Sequence, residues 1–439
     1  MTLLPQTVSE INDRVAQAQA IGRVPSLVAG VVQSGTVVHL AGAGELPVPD
    51  PHTQYRIGSI TKTLTATLIL QLRDAGLLDL DNQLYRYLPG TPVGVVTLRQ
   101  LLAHVGGLVR EPAGDWWERS AGSDLASLMA GLSPEALVHP PFRRQHYSNL
   151  AYGLLGAVVE QITGQSWWEV VHERILTPLK MSRTSYSPQE PFARGYVVHP
   201  WHGALREEPR YDAGAMAPAG QLWSTVSDLA RWTGFVASPD PAVLAAETVD
   251  EMCSPIAMLD PDSWQRGQGL GFQMARDGDR VYVGHTGSMP GYLAVFWVHR
   301  RSGTAVVAFA NAYNMRGIDV GTFGVQLLSA VLNSEPERPA PWRPGAMPPP
   351  HVEPLTGRWW FMGMEYEAWW DATRNELVIA RLDGQQKPWR FRQEGPGQWR
   401  GTAGMNHGEP LTVRRSRSGA VVALDIATFV FTRDPWPAM

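Results

Sequence analysis

Cysteine is almost absent from this chain of 439 residues: Cys253 stands alone. No intrachain disulfide can form, so the fold rests on packing and hydrogen bonds rather than on oxidation, and Cys253 itself reads as a small packed hydrophobe. Runs of lysine or arginine are missing too, and the net charge is −4. That balance, without a basic patch, argues against nucleic acid and anionic membrane surfaces as partners. The opening stretch MTLLPQTVSEINDRVAQAQAIG has no long apolar run and carries acidic residues early. It reads as neither signal peptide nor membrane anchor, which makes the chain as given cytoplasmic, or periplasmic or secreted if a leader was removed. No His-Glu-x-x-His or Cys-x-x-Cys spacing occurs, and Pro200 blocks a helical His199–His202 pair, so neither metal nor cofactor is expected. The Gly-x-Gly-x-Gly run of Arg266–Phe272 has no helix-like segment behind it and reads as a turn before a strand, not a nucleotide loop.

What is present divides the chain. Ser334 to Pro354 holds eight prolines, a composition that favours extension and rules out helix. The expected organisation is a first domain over 1–335, a Pro-rich linker over 336–354 and a second domain over 355–439. Eight of the 17 tryptophans fall from Trp342 onward, in short aromatic or β-branched runs broken by Gly, Asn and Asp. Such a pattern predicts a small antiparallel barrel or sandwich. In the first domain, hairpins are predicted around Gln33-Ser34-Gly35 and Ser302-Gly303. Between them lie helices after Ser59 and Asn149, closed by Gly76 and Gly164, and two capping boxes, Thr97 with Gln100 and Thr225 with Asp228. Strands at both ends with helices between predict an α+β domain, one antiparallel sheet flanked by helices.

Ser59 and Lys62 stand three residues apart where a strongly apolar helix begins, YRIGSITKTLTATLIL. Residues at that spacing share a helix face, and a buried ammonium is costly unless it loses its proton. A neutral lysine beside a serine hydroxyl at a helix N-terminus can take the serine's proton and make a nucleophile. The ordinary alternative is an N-cap serine and a lysine that reaches solvent. Two companions follow in order. Tyr147-Ser148-Asn149 precedes an apolar helix, and there Tyr147 could share a proton with Lys62 and deliver it to a leaving group. Asn149 could hold the lysine or a substrate amide, the ordinary alternative being a helix N-cap. Gly284-His285-Thr286-Gly287-Ser288 follows a strand-like run, and its glycines could let substrate backbone lie against a strand edge. The backbone N–H of Ser288 with that of Ser59 could form an oxyanion hole. The alternative there is a Gly-rich strand end with an exposed histidine.

In that order the three boxes resemble the Ser-x-x-Lys, Tyr-x-Asn and Lys-Thr-Gly set of the class C β-lactamase-like serine hydrolases. This group holds β-lactamases, penicillin-binding D-Ala-D-Ala carboxypeptidases, D-aminopeptidases and esterases. The resemblance spans most of residues 8–335, including TLRQLLAHVGGL and PAGQLWSTVSDLARW. It implies a β-lactamase/transpeptidase-like domain, and a lipocalin-like barrel after it that could cap the active-site rim, bind a ligand or mediate dimerisation. It implies Ser59 as acylated nucleophile, Lys62 as base and Tyr147 as acid–base partner, with Asn149, His285, Thr286 and Gly287 contacting substrate. His285 stands where β-lactamases carry lysine, and a neutral histidine holds a substrate carboxylate less well. The reading is therefore a hydrolase of small esters, amides or D-amino-acid peptides, working through an acyl-enzyme, with a homo-oligomer left open. A penicillin-binding carboxypeptidase or β-lactamase is one alternative, and a non-catalytic binder of peptidoglycan fragments is another. His104 reads as a C-terminal dipole partner of its helix. The pairs Trp116-Trp117 and Trp167-Trp168 could line a cleft or split between core and surface.

Overall fold

The structure, a computed structural model, describes residues 2–44, 50–336 and 344–436. The chain separates into two compact units, Met1–Glu337 and Arg338–Met439. Residues 337–343 of the Pro-rich segment lie outside the described residues.

In the first unit the Val-rich runs form the hairpin β1 (Ser26–Gln33) and β2 (Thr36–Gly44), with Ser34 and Gly35 at positive φ in its turn. Later strands are β3 (Ala257–Met258), β4 (Arg266–Gln268), β5 (Gln273–Asp277), β6 (Arg280–Met289), β7 (Tyr292–His299) and β8 (Thr304–Ala310). The Gly-rich Arg266–Phe272 run thus opens on β4 and turns into β5. All eight form one sheet in the order β2-β1-β8-β7-β6-β5-β4-β3. β1 lies antiparallel to β8 from Leu27 opposite Ala310 to Gln33 opposite Thr304, so the first and last hairpins of the unit meet in the sheet. β1 and β8 are buried on both faces, which is why each reads as an unbroken apolar run. Leu27, Ala29 and Val31 face one core with Ile11 and Val15 of α1 (Pro5–Gly22). Val28 and Val32 face the larger core, which holds the helices α2 (Thr61–Asp74) and α3 (Asn149–Thr163).

Cap chemistry explains most helix ends and corrects two expectations. Thr97 and Gln100 close a complete capping box over Leu98–Leu102. Thr225 caps its helix through the Asp228 N–H at 3.1 Å, but the Asp228 carboxylate does not return to complete a box. It takes the Thr184 hydroxyl and the Arg183 N–H instead, tying down a neighbouring segment. Ser148, not Asn149, is the N-cap of α3, accepting from the Ala151 N–H at 3.0 Å. That frees the Asn149 side chain for other work.

The second unit is a closed barrel of eight strands between Gly357 and Thr432, its first and last strands joined through Trp360 opposite Thr432. Trp359, Tyr366, Trp389, Phe391, Trp399 and Phe431 pack together inside it. These rings pack the barrel's interior with side chains.

Candidate active site

Ser59 sits in a single 3-10 turn, Gly58–Ile60, that runs directly into α2, so Lys62 falls in the helix's first turn. Lys62 does not reach solvent; its side chain is fully buried. Its Nζ is 2.9 Å from Ser59 Oγ, 2.7 Å from Asn149 Oδ1 and 2.6 Å from the Ala219 carbonyl. The last two oxygens can only accept, so they take two N–H groups. The third direction of the amine faces the serine hydroxyl. Burial pushes the lysine down to about 7, against the pull of the Glu118 and Glu111 carboxylates that hold it up. In the neutral amine, that third direction is a lone pair aimed at Ser59.

The Tyr147-Ser148-Asn149 box is held from several sides. Burial pushes the Tyr147 hydroxyl above the usual phenol range, against the effect of the neighbouring Ser59 side chain. Lys62 Nζ lies over the Tyr147 ring, 5.1 Å from its centre. The tyrosine thus meets the lysine with the face of its ring. Asn149 Nδ2 donates to both oxygens of Glu111, at 2.8 and 3.0 Å. A carboxylate only accepts, so this contact turns the amide oxygen toward Lys62. His104 is buried rather than serving its helix end. Its Nδ1 accepts the Ser148 N–H at 3.0 Å, and its ring centre lies 4.3 Å from that of Tyr147. Burial and the charge of Lys62 hold it neutral, far below its usual range.

The third box lies inside β6, not at its end. β6 and β7 are joined by Pro290-Gly291, with Met289 opposite Tyr292 and Ser288 opposite Leu293. In antiparallel alternation the pair that closes such a turn is hydrogen-bonded and the next pair points its N–H groups outward, so Ser288 N–H faces away from β7. β5 covers that edge only up to Gly284. Beyond it the edge meets the Ser59 turn: a Cβ on Gly287 would overlap the Ile57 carbonyl and lie 3.2 Å from Ser59 N, and one on Gly58 would overlap the Ser288 backbone. The glycine at 287 is thus demanded by the approach of the turn that carries Ser59, not by substrate backbone. It also brings the backbone of Ser288 up against the turn that carries Ser59. His285 is buried, not exposed. Its Nδ1 donates to the Thr286 carbonyl, leaving Nε2 buried without a partner. Burial pushes this histidine down to about 3, so it is neutral.

Two acids complete the site, and sequence reasoning passed over both. Glu111 accepts from Asn149 and from Trp117 Nε1 at 2.8 Å. Glu118 is 8% exposed, with Oε2 unpartnered. Burial and the neighbouring Glu111 push it up to about 7. Both lie in the loop REPAGDWWERS, which has no catalytic spacing; only the fold brings it to Lys62. The tryptophan pair splits: Trp117 is buried, and Trp116 stands at the rim against Tyr313, with ring centres 6.1 Å apart.

A β-lactamase family profile matches residues 11–326, and a domain of unknown function, DUF7586, matches residues 348–433. Beta-lactamase-like protein 2 of Dictyostelium discoideum is 28% identical over 64% of this chain, which spans about half of that relative (52%). Penicillin-binding protein 4 of Amycolatopsis lactamdurans is 29% identical over 66% of this chain and 78% of its own. Among solved structures, a D-stereospecific amidohydrolase from a Streptomyces species is 26% identical with a TM-score of 0.61, over 74% of this chain and 98% of that one. An octameric penicillin-binding protein homologue from Pyrococcus abyssi shares the fold along nearly the whole chain, at 22% identity, a TM-score of 0.65, and coverage of 97% and 100%. With the profile spanning most of the first unit and the same architecture recurring in these structures, the chain belongs to the β-lactamase family.

Proposed function

We propose that this chain is a serine hydrolase that acts through an acyl-enzyme on small amides, peptides or esters bearing a free amino group. The observation that carries the reading is Lys62 held by two pure acceptors with its third direction on Ser59 Oγ. Ser59 attacks the carbonyl and its proton passes to Lys62. The oxyanion rests between the N–H groups of Ser59 and Ser288. Tyr147, beside Ser59 and Lys62, carries the proton to the leaving group and then helps to activate water. A non-catalytic binder would have no use for a neutral buried lysine.

The charge around the nucleophile supports the substrate class. His285 and His104 are neutral, Lys62 is largely neutral above pH 7, and Arg110 pairs with Glu111 at the rim. Glu118 leaves one carboxyl oxygen without a protein partner, as His285 does at Nε2, and of the two the carboxyl suits a cation. Such a site suits a substrate ammonium better than the carboxylate of a penicillin or a D-Ala-D-Ala terminus. The D-stereospecific amidohydrolase among the relatives agrees with amide substrates. A charge-assisted hydrogen bond to Glu118 contributes about 1.5–3 kcal/mol, or roughly 10–100-fold. D-Alanine p-nitroanilide should therefore exceed its N-acetyl derivative in kcat/KM by that factor, and Glu118→Ala should shrink the gap. Equal turnover of the two, or preference for the acetylated one, would remove the amino-group reading.

A further inference from the structure

Pro218, the residue before the one whose carbonyl holds Lys62, borders a cavity that the proposed reaction does not use. It measures about 260 Å³ and lies between α3, α4 (Trp167–Val171) and the short helix α5 (Ala217–Gly220). Trp167, Trp168, Tyr186, Pro218 and Glu160 line it, and none of the residues assigned to the reaction does. Trp168 and Tyr186 meet edge to face, with ring centres 5.9 Å apart. The Tyr186 hydroxyl is taken by Asp212, and Trp167 Nε1 donates to Thr65 Oγ1 at 3.1 Å, so these rings offer the cavity their apolar surfaces. Glu160 accepts the Trp167 N–H at 2.9 Å through one oxygen and has no cationic partner among the described residues. Rings with an electron-rich face beside an unpaired carboxylate are the elements that recognise an organic cation. An apolar cavity of about 150 Å³ holds benzene, so this one has room for a ring and a short chain.

The floor of the cavity is also the strut of the active site. Thr65 Oγ1 donates to the Pro218 carbonyl at 2.8 Å, and the next carbonyl, that of Ala219, holds Lys62 Nζ. A ligand pressing on Pro218 bears on the group that orients the lysine.

We propose that this cavity is a second ligand site, for a small aryl- or alkylammonium ion, and that its occupancy alters turnover through α5. The site is separate from the amino-group contact at Glu118, and its test separates the two. Phenethylammonium chloride is titrated calorimetrically into the full chain, with 2-phenylethanol as the uncharged comparator. Binding with a Kd of about 1 mM or tighter is expected for the cation. Glu160→Gln, which keeps an oxygen for the Trp167 N–H, should weaken it about tenfold or more; Glu118→Gln should leave it unchanged. With a neutral ester as substrate, saturating phenethylammonium should change kcat at least about twofold, and do so less in Glu160→Gln. Failure of the cation to bind, equal binding of the alcohol, or insensitivity to Glu160→Gln would overturn the site. A purely competitive effect, on KM alone and lost in Glu118→Gln, would place the cation in the reaction cleft and overturn it as well. The calorimetric result does not depend on catalysis, so failure of the hydrolase reading would leave the binding result standing.

Discussion

A lysine that must be neutral to work leaves its mark on the pH dependence. Below pH 7 Lys62 gains a proton and loses the lone pair facing Ser59, so kcat/KM should fall on the acid side with an apparent midpoint near 7. The midpoint belongs to Lys62 and Glu118 together, because both titrate there and each acts on the other. The Glu118 anion favours protonated lysine, so Glu118→Gln should lower the lysine's pKa and move the acid limb to lower pH. A limb that moved up, or stayed in place, would mean that another group is the base. His285, already neutral far below this range, should contribute no limb. Glu111 shows why such residues escape a sequence reading. Its importance lies in fixing which end of the Asn149 amide faces Lys62, a relation between positions 38 apart that no spacing rule encodes.

At the scale of elements, two backbone approaches build the site: the Gly58–Ile60 turn against β6, and α5 against α2. The first makes Gly287 a sharp test. A methyl there would overlap the Ile57 carbonyl, so Gly287→Ala must push the nucleophile's turn off the strand. A shift of about 1 Å in such a site costs on the order of 100-fold in rate. Steady-state kinetics should show that loss in kcat, and near-normal kcat would mean that the two N–H groups need not converge. The hairpins, the Thr97–Gln100 box and the helix ends at Gly76 and Gly164 were legible because each rests on local chemistry within a few residues. The three boxes were legible for the same reason. The position of Gly-His-Thr-Gly-Ser within a strand was not: two glycines suggest a strand end unless one knows that Ile57 presses on one of them and the β7 backbone on the other. His104 was misread for a like reason, since its partner, the Ser148 N–H, comes from a distant segment.

For the molecule as a whole, separate cores imply separate stabilities. The first unit is held by the two clusters on either side of its sheet, and the barrel by its own aromatic interior. Calorimetry of the full chain should resolve two transitions. Trp359→Ala removes a fully buried indole from the barrel and should cost about 3–5 kcal/mol in the barrel's transition alone. If both transitions moved together, the two units would unfold as one. The aromatic repeats announced an all-β second unit, but not whether its interior was open, because that depends on how six large rings fill one closed sheet.

The most direct measurement is intact mass and peptide mapping after treatment with a fluorophosphonate and with an activated ester, on the wild type, Ser59→Ala and Lys62→Ala. A single adduct on Ser59 in the wild type, none in Ser59→Ala, and acylation slowed roughly 1,000-fold or more in Lys62→Ala are predicted. An adduct on another residue, or full ester turnover by Ser59→Ala, would contradict the assignment of the nucleophile and its base.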